Sequence, residues 1–242
     1  MTETRPAFYA LARGGWRDYV TLLHPPYTLW HLSYVVIGGA LAPELRPERL
    51  LLTLLAFALA LGIGAHALDE LRGRPLRTAI PARVLVALAA ASIAGAAAIG
   101  IWAALAWTPW LLLAVAAGTF LVVAYNLELF GGAFHTDWWF AVAWGAFPVL
   151  TAYLAAAERL SLAAVVAAAF AAILSLAQRE LSTWVRTLRR RVRAVDGWLE
   201  HDDGRREELT LDRLRAPAER ALLLLGACVA TLAAALLLVR LL

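Results

Sequence analysis

The sequence contains no lysine, one cysteine and one methionine, and only 17% of its 242 residues are charged. Each scarcity narrows the possibilities. A lone thiol, Cys228, builds neither a disulfide framework nor a cysteine metal site, and within the last apolar run it reads as a small core residue. The lack of lysine places all 22 basic charges on arginine, which by itself points to no function. Few charges beside 62% hydrophobic residues is a balance that a water-soluble domain of this size does not keep. Lipid is the natural solvent, and no nucleic-acid partner is expected. Arg5, Arg13, Arg17 and Asp18 interrupt the first stretch, so no signal peptide is expected there.

What is present is apolar sequence in runs of roughly 17 to 25 residues, long enough for a helix to cross the hydrocarbon core. A spanning segment must satisfy its own backbone hydrogen bonds, which selects helices. Charged and turn-forming breaks place the runs at 27–43, 50–68, 82–106, 109–127, 138–157, 160–178 and 219–241. The expected fold is all-α, a polytopic transmembrane bundle of about seven spans. It divides into an N-terminal segment (1–26), a six-span bundle (27–178), an amphipathic helix with a polar loop (179–218) and a C-terminal span (219–242). Arginines gather before span one, between spans two and three, and above all from Arg179 to Arg220. By the positive-inside rule those loops and the N-terminus face the cytoplasm and the C-terminus lies outside, as in the plasma membrane of a prokaryote. Small residues through spans three to six let backbones approach closely.

Ionisable groups at span ends are costly unless they face water or protein, so they head the functional candidates. His66 and Asp69 are three apart, hence on one helix face, and Glu70, Arg72 and Arg74 follow. An acid and an imidazole so placed can hold a metal, exchange a proton or bond each other. Asn126 and Glu128 end the fourth span and run into His135 and Asp137. After span six, Arg179, Arg186, Arg190 and Arg193 share one arc, opposite Leu181, Val185 and Leu188. Such a helix can lie on anionic headgroups or present guanidinium forks to a diphosphate. The acidic turn Glu200 to Gly204 reads as a solvated loop or as oxygen donors for Mg²⁺.

In order along residues 20–195, several stretches resemble the UbiA superfamily of intramembrane prenyltransferases. His24-Pro25-Pro26-Tyr27, followed by Gly38-Gly39-Ala40, resembles that family's first helix, with His24 where arginine is usual. The segment 65–73 resembles its first aspartate-rich motif, with Asp69 and Gly73 in register but Ala65 for Asn and His66 for Asp. Tyr125 to Gly132, then Trp144 to Leu150 and Tyr153, resemble its fourth helix end and the Gly-x-x-Pro-Val-x-x-x-Tyr pattern of its fifth. Residues 178–186 stand where the second aspartate-rich motif belongs and lack its Asp pair, and the family has nine helices.

The resemblance implies an isoprenoid diphosphate substrate within the membrane and Mg²⁺ to neutralise the leaving pyrophosphate. On this chain it assigns Asp69 and His66 to catalysis, Asp69 and Glu70 to Mg²⁺. Asn126, Glu128, Arg72, Arg74, Arg179, Arg186 and Arg190 are expected to bind substrate, the arginine arc on its own chemistry standing in for the missing second cluster. Lost carboxylates also fit a protein that binds isoprenoids or lipid without chemistry, or a terpene cyclase with Asp69 as proton donor.

Overall fold

The computed structural model describes residues 5–242, most of them in helices that start where sequence chemistry allows. We number them α1 (Trp16–Leu22), α2 (Pro25–Ala40), α3 (Pro47–Leu71), α4 (Ala82–Ala106), α5 (Leu111–Asn126), α6 (Asp137–Ala157), α7 (Leu162–Arg190) and α8 (Leu211–Leu241). Pro25 and Pro47 open α2 and α3, where a fixed φ helps and a missing N–H costs nothing. Thr136, Ser161 and Thr210 cap α6, α7 and α8 by accepting the backbone N–H three residues on.

Five of these helices, α3, α4, α6, α7 and α8, are long and apolar enough to cross a membrane, as an integral membrane protein requires. Helix α5, a shorter apolar helix, and α2 have 16 residues each, less than a full crossing at 1.5 Å per residue. Leu105, Leu162, Ile173 and Val239 are exposed along them, a surface suited to lipid rather than water, and Cys228, expected in the core, is exposed on α8 as well. Exposed tryptophans mark both ends: Trp16, Trp138, Trp184 and Trp198 at one, Trp102 and Trp110 at the other.

Two expected boundaries move. The sixth apolar run and the amphipathic segment after it form one unbroken helix, α7, and the last helix begins at Leu211, ahead of its apolar run. Val185 and Leu188 are buried in the bundle, so the apolar arc of α7 packs on protein. Between α7 and α8 lies a small antiparallel hairpin, β1 (Trp198–Glu200) with β2 (Arg206–Glu208), tied to α8 by the Arg213–Glu207 ion pair.

Helix α2 is the centre of the bundle, packed on α6 and α8 around Trp30, Tyr34, Ile37, Val149 and Leu222. Close approach depends on absent side chains. A Cβ on Gly38 would lie 2.3 Å from the Val149 carbonyl oxygen, and one on Gly145 2.6 Å from that of Ala171. Two helices carry π-helical segments, Ala58–Ala65 in α3 and Ala141–Ala146 in α6, each next to residues that face the interior of the bundle.

The end of the molecule away from the N-terminal segment is tied shut. Arg49 donates to the Ala155 carbonyl and pairs with Glu158, both at 2.9 Å, while its guanidinium lies over Trp107. Arg240 donates to the carbonyls of Ala42 and Pro43.

Candidate functional site

At the opposite end the helices part around a cavity of about 540 Å³. Its walls come from the N-terminal segment, the start of α2, the last turns of α3, the ends of α5 and α6, and the second half of α7. Helical spacing of seven and four residues brings Arg179, Arg186 and Arg190 to it from one face of α7. Arg179 pairs with Asp137 at 2.7 Å and lies over the Phe140 ring. Arg186 donates to the hydroxyls of Ser182 and Thr183, and Arg190 to the Pro6 carbonyl. Among the described residues neither Arg186 nor Arg190 has a carboxylate partner.

Across from them, Asp69 lines the cavity with a carboxylate that makes no hydrogen bond or ion pair among the described residues. One turn earlier, His66 stacks on His24, ring centroids 4.1 Å apart and planes within 5°. His24 sits in the left-handed region at φ 47°, a conformation that a non-glycine residue keeps only when its surroundings enforce it. The Tyr9 hydroxyl shares a 2.9 Å hydrogen bond with His24 Nδ1. Burial, reinforced by His66 and then by the arginines, holds His24 well below its usual titration range.

The cavity therefore gathers His66, Asp69, Asn126, Glu128, Arg179, Arg186 and Arg190 from the residues singled out in the sequence. Three others are elsewhere. Glu70 is fully buried on the far side of its helix, where its carboxylate accepts from the Leu76 and Thr78 amides and the Thr78 hydroxyl. It is the keystone of the α3–α4 loop and not a partner of Asp69. Arg74 donates to the Ile80 carbonyl within the same loop. Arg72 pairs with Glu128 at 2.7 Å and donates to the Leu127 carbonyl, clasping the end of α3 to the end of α5. That hydrogen bond draws the exposed Glu128 carboxyl below its usual range and occupies it at the rim. The acidic turn after β1 does not line the cavity, and Glu200 there pairs with Arg206.

Oxygen donors for Mg²⁺ are correspondingly few. With Glu70 buried, Glu128 held by Arg72 and Asp137 by Arg179, Asp69 is the one cavity carboxylate left unengaged among the described residues. Among the described residues no three His, Cys, Asp or Glu side chains are grouped to hold a metal. This set does not fit an ion that takes about six hard oxygen ligands.

Tyr9, His31 and Gln178 also face the cavity, though the sequence alone did not single them out. His31 falls seven residues after His24, a helical spacing that carries the signal. Tyr9 comes from outside the helices and carries none. A second, apolar crevice of about 110 Å³ runs between α3, α4, α5 and α6, past Leu61, Ile93, Val115 and Phe147. Trp144 belongs to the walls of both.

No family model, no curated protein and no solved structure matches this chain.

Proposed function

We propose that this chain is a divergent UbiA-like membrane protein of seven spans, with α2 and α5 as the two short ones, that transfers the prenyl group of an isoprenoid diphosphate. The reading rests on one observation above all. Arg186 and Arg190 point their charge into a cavity at the end of an apolar bundle without carboxylate partners among the described residues. Guanidinium groups so placed favour a polyanion, which they grip in bidentate forks. The apolar crevice across Trp144 suits the hydrocarbon tail of the same molecule. By the arginine asymmetry of the loops, the cavity opens to the cytoplasm of a prokaryotic cell.

In this arrangement the three arginines stabilise the negative charge that builds on the departing diphosphate. Asp69, opposite them and unpaired, stabilises the positive charge that builds on the prenyl carbon. No step is assigned to Mg²⁺. A second reading has its own support: the thin set of carboxylates favours a protein that binds the isoprenoid diphosphate without turning it over.

Purified protein in lipid nanodiscs, given farnesyl diphosphate with and without Mg²⁺, separates the two. Transfer predicts pyrophosphate release, with water taking the prenyl group where no acceptor is supplied and losing a proton to give the free alcohol, and Asp69→Asn abolishes that release while leaving binding intact. Saturable binding without release in the wild type selects the carrier. Arg186→Gln is expected to weaken binding by about tenfold to a hundredfold, the worth of a hydrogen-bonded charge. Equal affinity in that variant removes the diphosphate from this cavity.

A further inference from the structure

Four of the five histidines line the one cavity. Three of them share a feature that the arginine edge does not explain. His66 Nδ1 lies 3.0 Å from the Gly62 carbonyl, His31 Nδ1 2.9 Å from that of Trp144, and His135 Nδ1 3.0 Å from that of Tyr125. A carbonyl only accepts, so each Nδ1 carries the proton and donates. In the neutral ring Nε2 is then a bare lone pair. None of these Nε2 atoms has a protein partner among the described residues.

The carbonyls that fix the rings share an origin. Gly62 lies in the π-helical segment of α3 and Trp144 in that of α6, where the regular i to i−4 ladder is broken. Tyr125 lies in the last turn of α5, past the regular ladder, where its carbonyl takes the Glu128 amide at 3.2 Å and has a second lone pair left for the ring. Interrupted helices thus supply the acceptors that hold three imidazoles in one tautomer. Two more polar atoms complete the wall. The Tyr125 hydroxyl and Gln178 Oε1 are buried without a hydrogen bond, on side chains that are 5% and 3% exposed and line the same cavity. Unpaired polar groups at such burial are costly unless a ligand or water meets them.

We propose that this wall is a second binding compartment, which accepts hydrogen bonds from a neutral, hydroxyl-bearing ligand. An anion belongs at the arginines, whereas the imidazole lone pairs and the Gln178 amide oxygen repel one, and the Tyr125 hydroxyl, which can donate or accept, is neutral. A hydroxyl supplies the hydrogen that each acceptor needs. The compartment deepens the reading above, because it describes the co-substrate beside the diphosphate, and its test is independent of turnover.

The test uses the full chain in nanodiscs with ¹⁵N-labelled histidine. Nitrogen shifts are expected to show three rings protonated at Nδ1 and bare at Nε2. Benzyl alcohol is then titrated beside benzyl methyl ether, a probe of similar shape without the O–H. The alcohol is expected to move the bare Nε2 resonances, with affinity at least about tenfold above that of the ether, the worth of one unmade hydrogen bond. His66→Phe is expected to erase the difference, and His135→Gln, at a more open position, serves if that variant folds poorly. Rings protonated at Nε2, equal affinity for the two probes, or no response of these resonances would overturn the proposal. Inorganic diphosphate titrated into the same sample keeps the two readings apart. Diphosphate binding with no preference for the alcohol sinks the second compartment alone, and the reverse result sinks the diphosphate reading alone.

Discussion

Asp69 and Glu70 are neighbours in sequence and opposite in role. Glu70 accepts three hydrogen bonds from the 76–78 loop, while Asp69 faces the cavity unengaged. Glu70→Ala strands those donors and is expected to cost about 3 kcal/mol, read as a lower melting temperature. Asp69→Asn is expected to leave that temperature nearly unchanged. Their division of labour was not legible in the sequence, where consecutive carboxylates invite a shared metal. The loop that claims Glu70 does so through two backbone amides, which any sequence supplies, and the Thr78 hydroxyl. His24 gives a pH signature. Burial keeps its ring neutral in the folded chain, whereas an unfolded imidazole titrates near about 6.5. Below that pH the unfolded chain takes up a proton that the folded chain refuses, so stability falls as pH falls. Thermal melts from about pH 7.5 down to pH 5 should show this slope, and His24→Gln should flatten part of it.

Among elements, the packing of α2 on α6 and of α6 on α7 depends on Gly38 and Gly145. Gly38→Ala drives a methyl into the Val149 backbone, and Gly145→Ala meets both the Ala171 carbonyl and the Ser175 hydroxyl. Each is expected to lose about 1 to 3 kcal/mol, measured by unfolding in mixed micelles, since rigid backbone rather than a flexible side chain stands in the way. The long helices were legible from apolar runs, and the arc of Arg179, Arg186 and Arg190 from helical spacing. The π-helical segments were not, because one extra residue in a helical turn leaves no compositional trace. Nor was the seat of the N-terminal segment, which Arg189 and Arg190 hold through the carbonyls of Arg5 and Pro6.

For the whole molecule, the distribution of arginine predicts an orientation that labelling can test. In a Cys228→Ala background, Asp203→Cys is expected to be shielded from a membrane-impermeant maleimide in intact cells and Arg159→Cys to react. Reaction at position 203 would invert the topology and put the cavity on the outer face. The two ends of the bundle also differ in how they are closed. Polar side chains converge on an open cavity at one end, while Arg49, Glu158 and Arg240 stitch loops and helix ends together at the other. The molecule is a cup rather than a pipe for polar cargo. Whatever water-loving group arrives must leave by the doorway it came through, so the proposed diphosphate substrate and its spent product would share one threshold. The rate at which the cup empties then sets a ceiling on any cycle it runs.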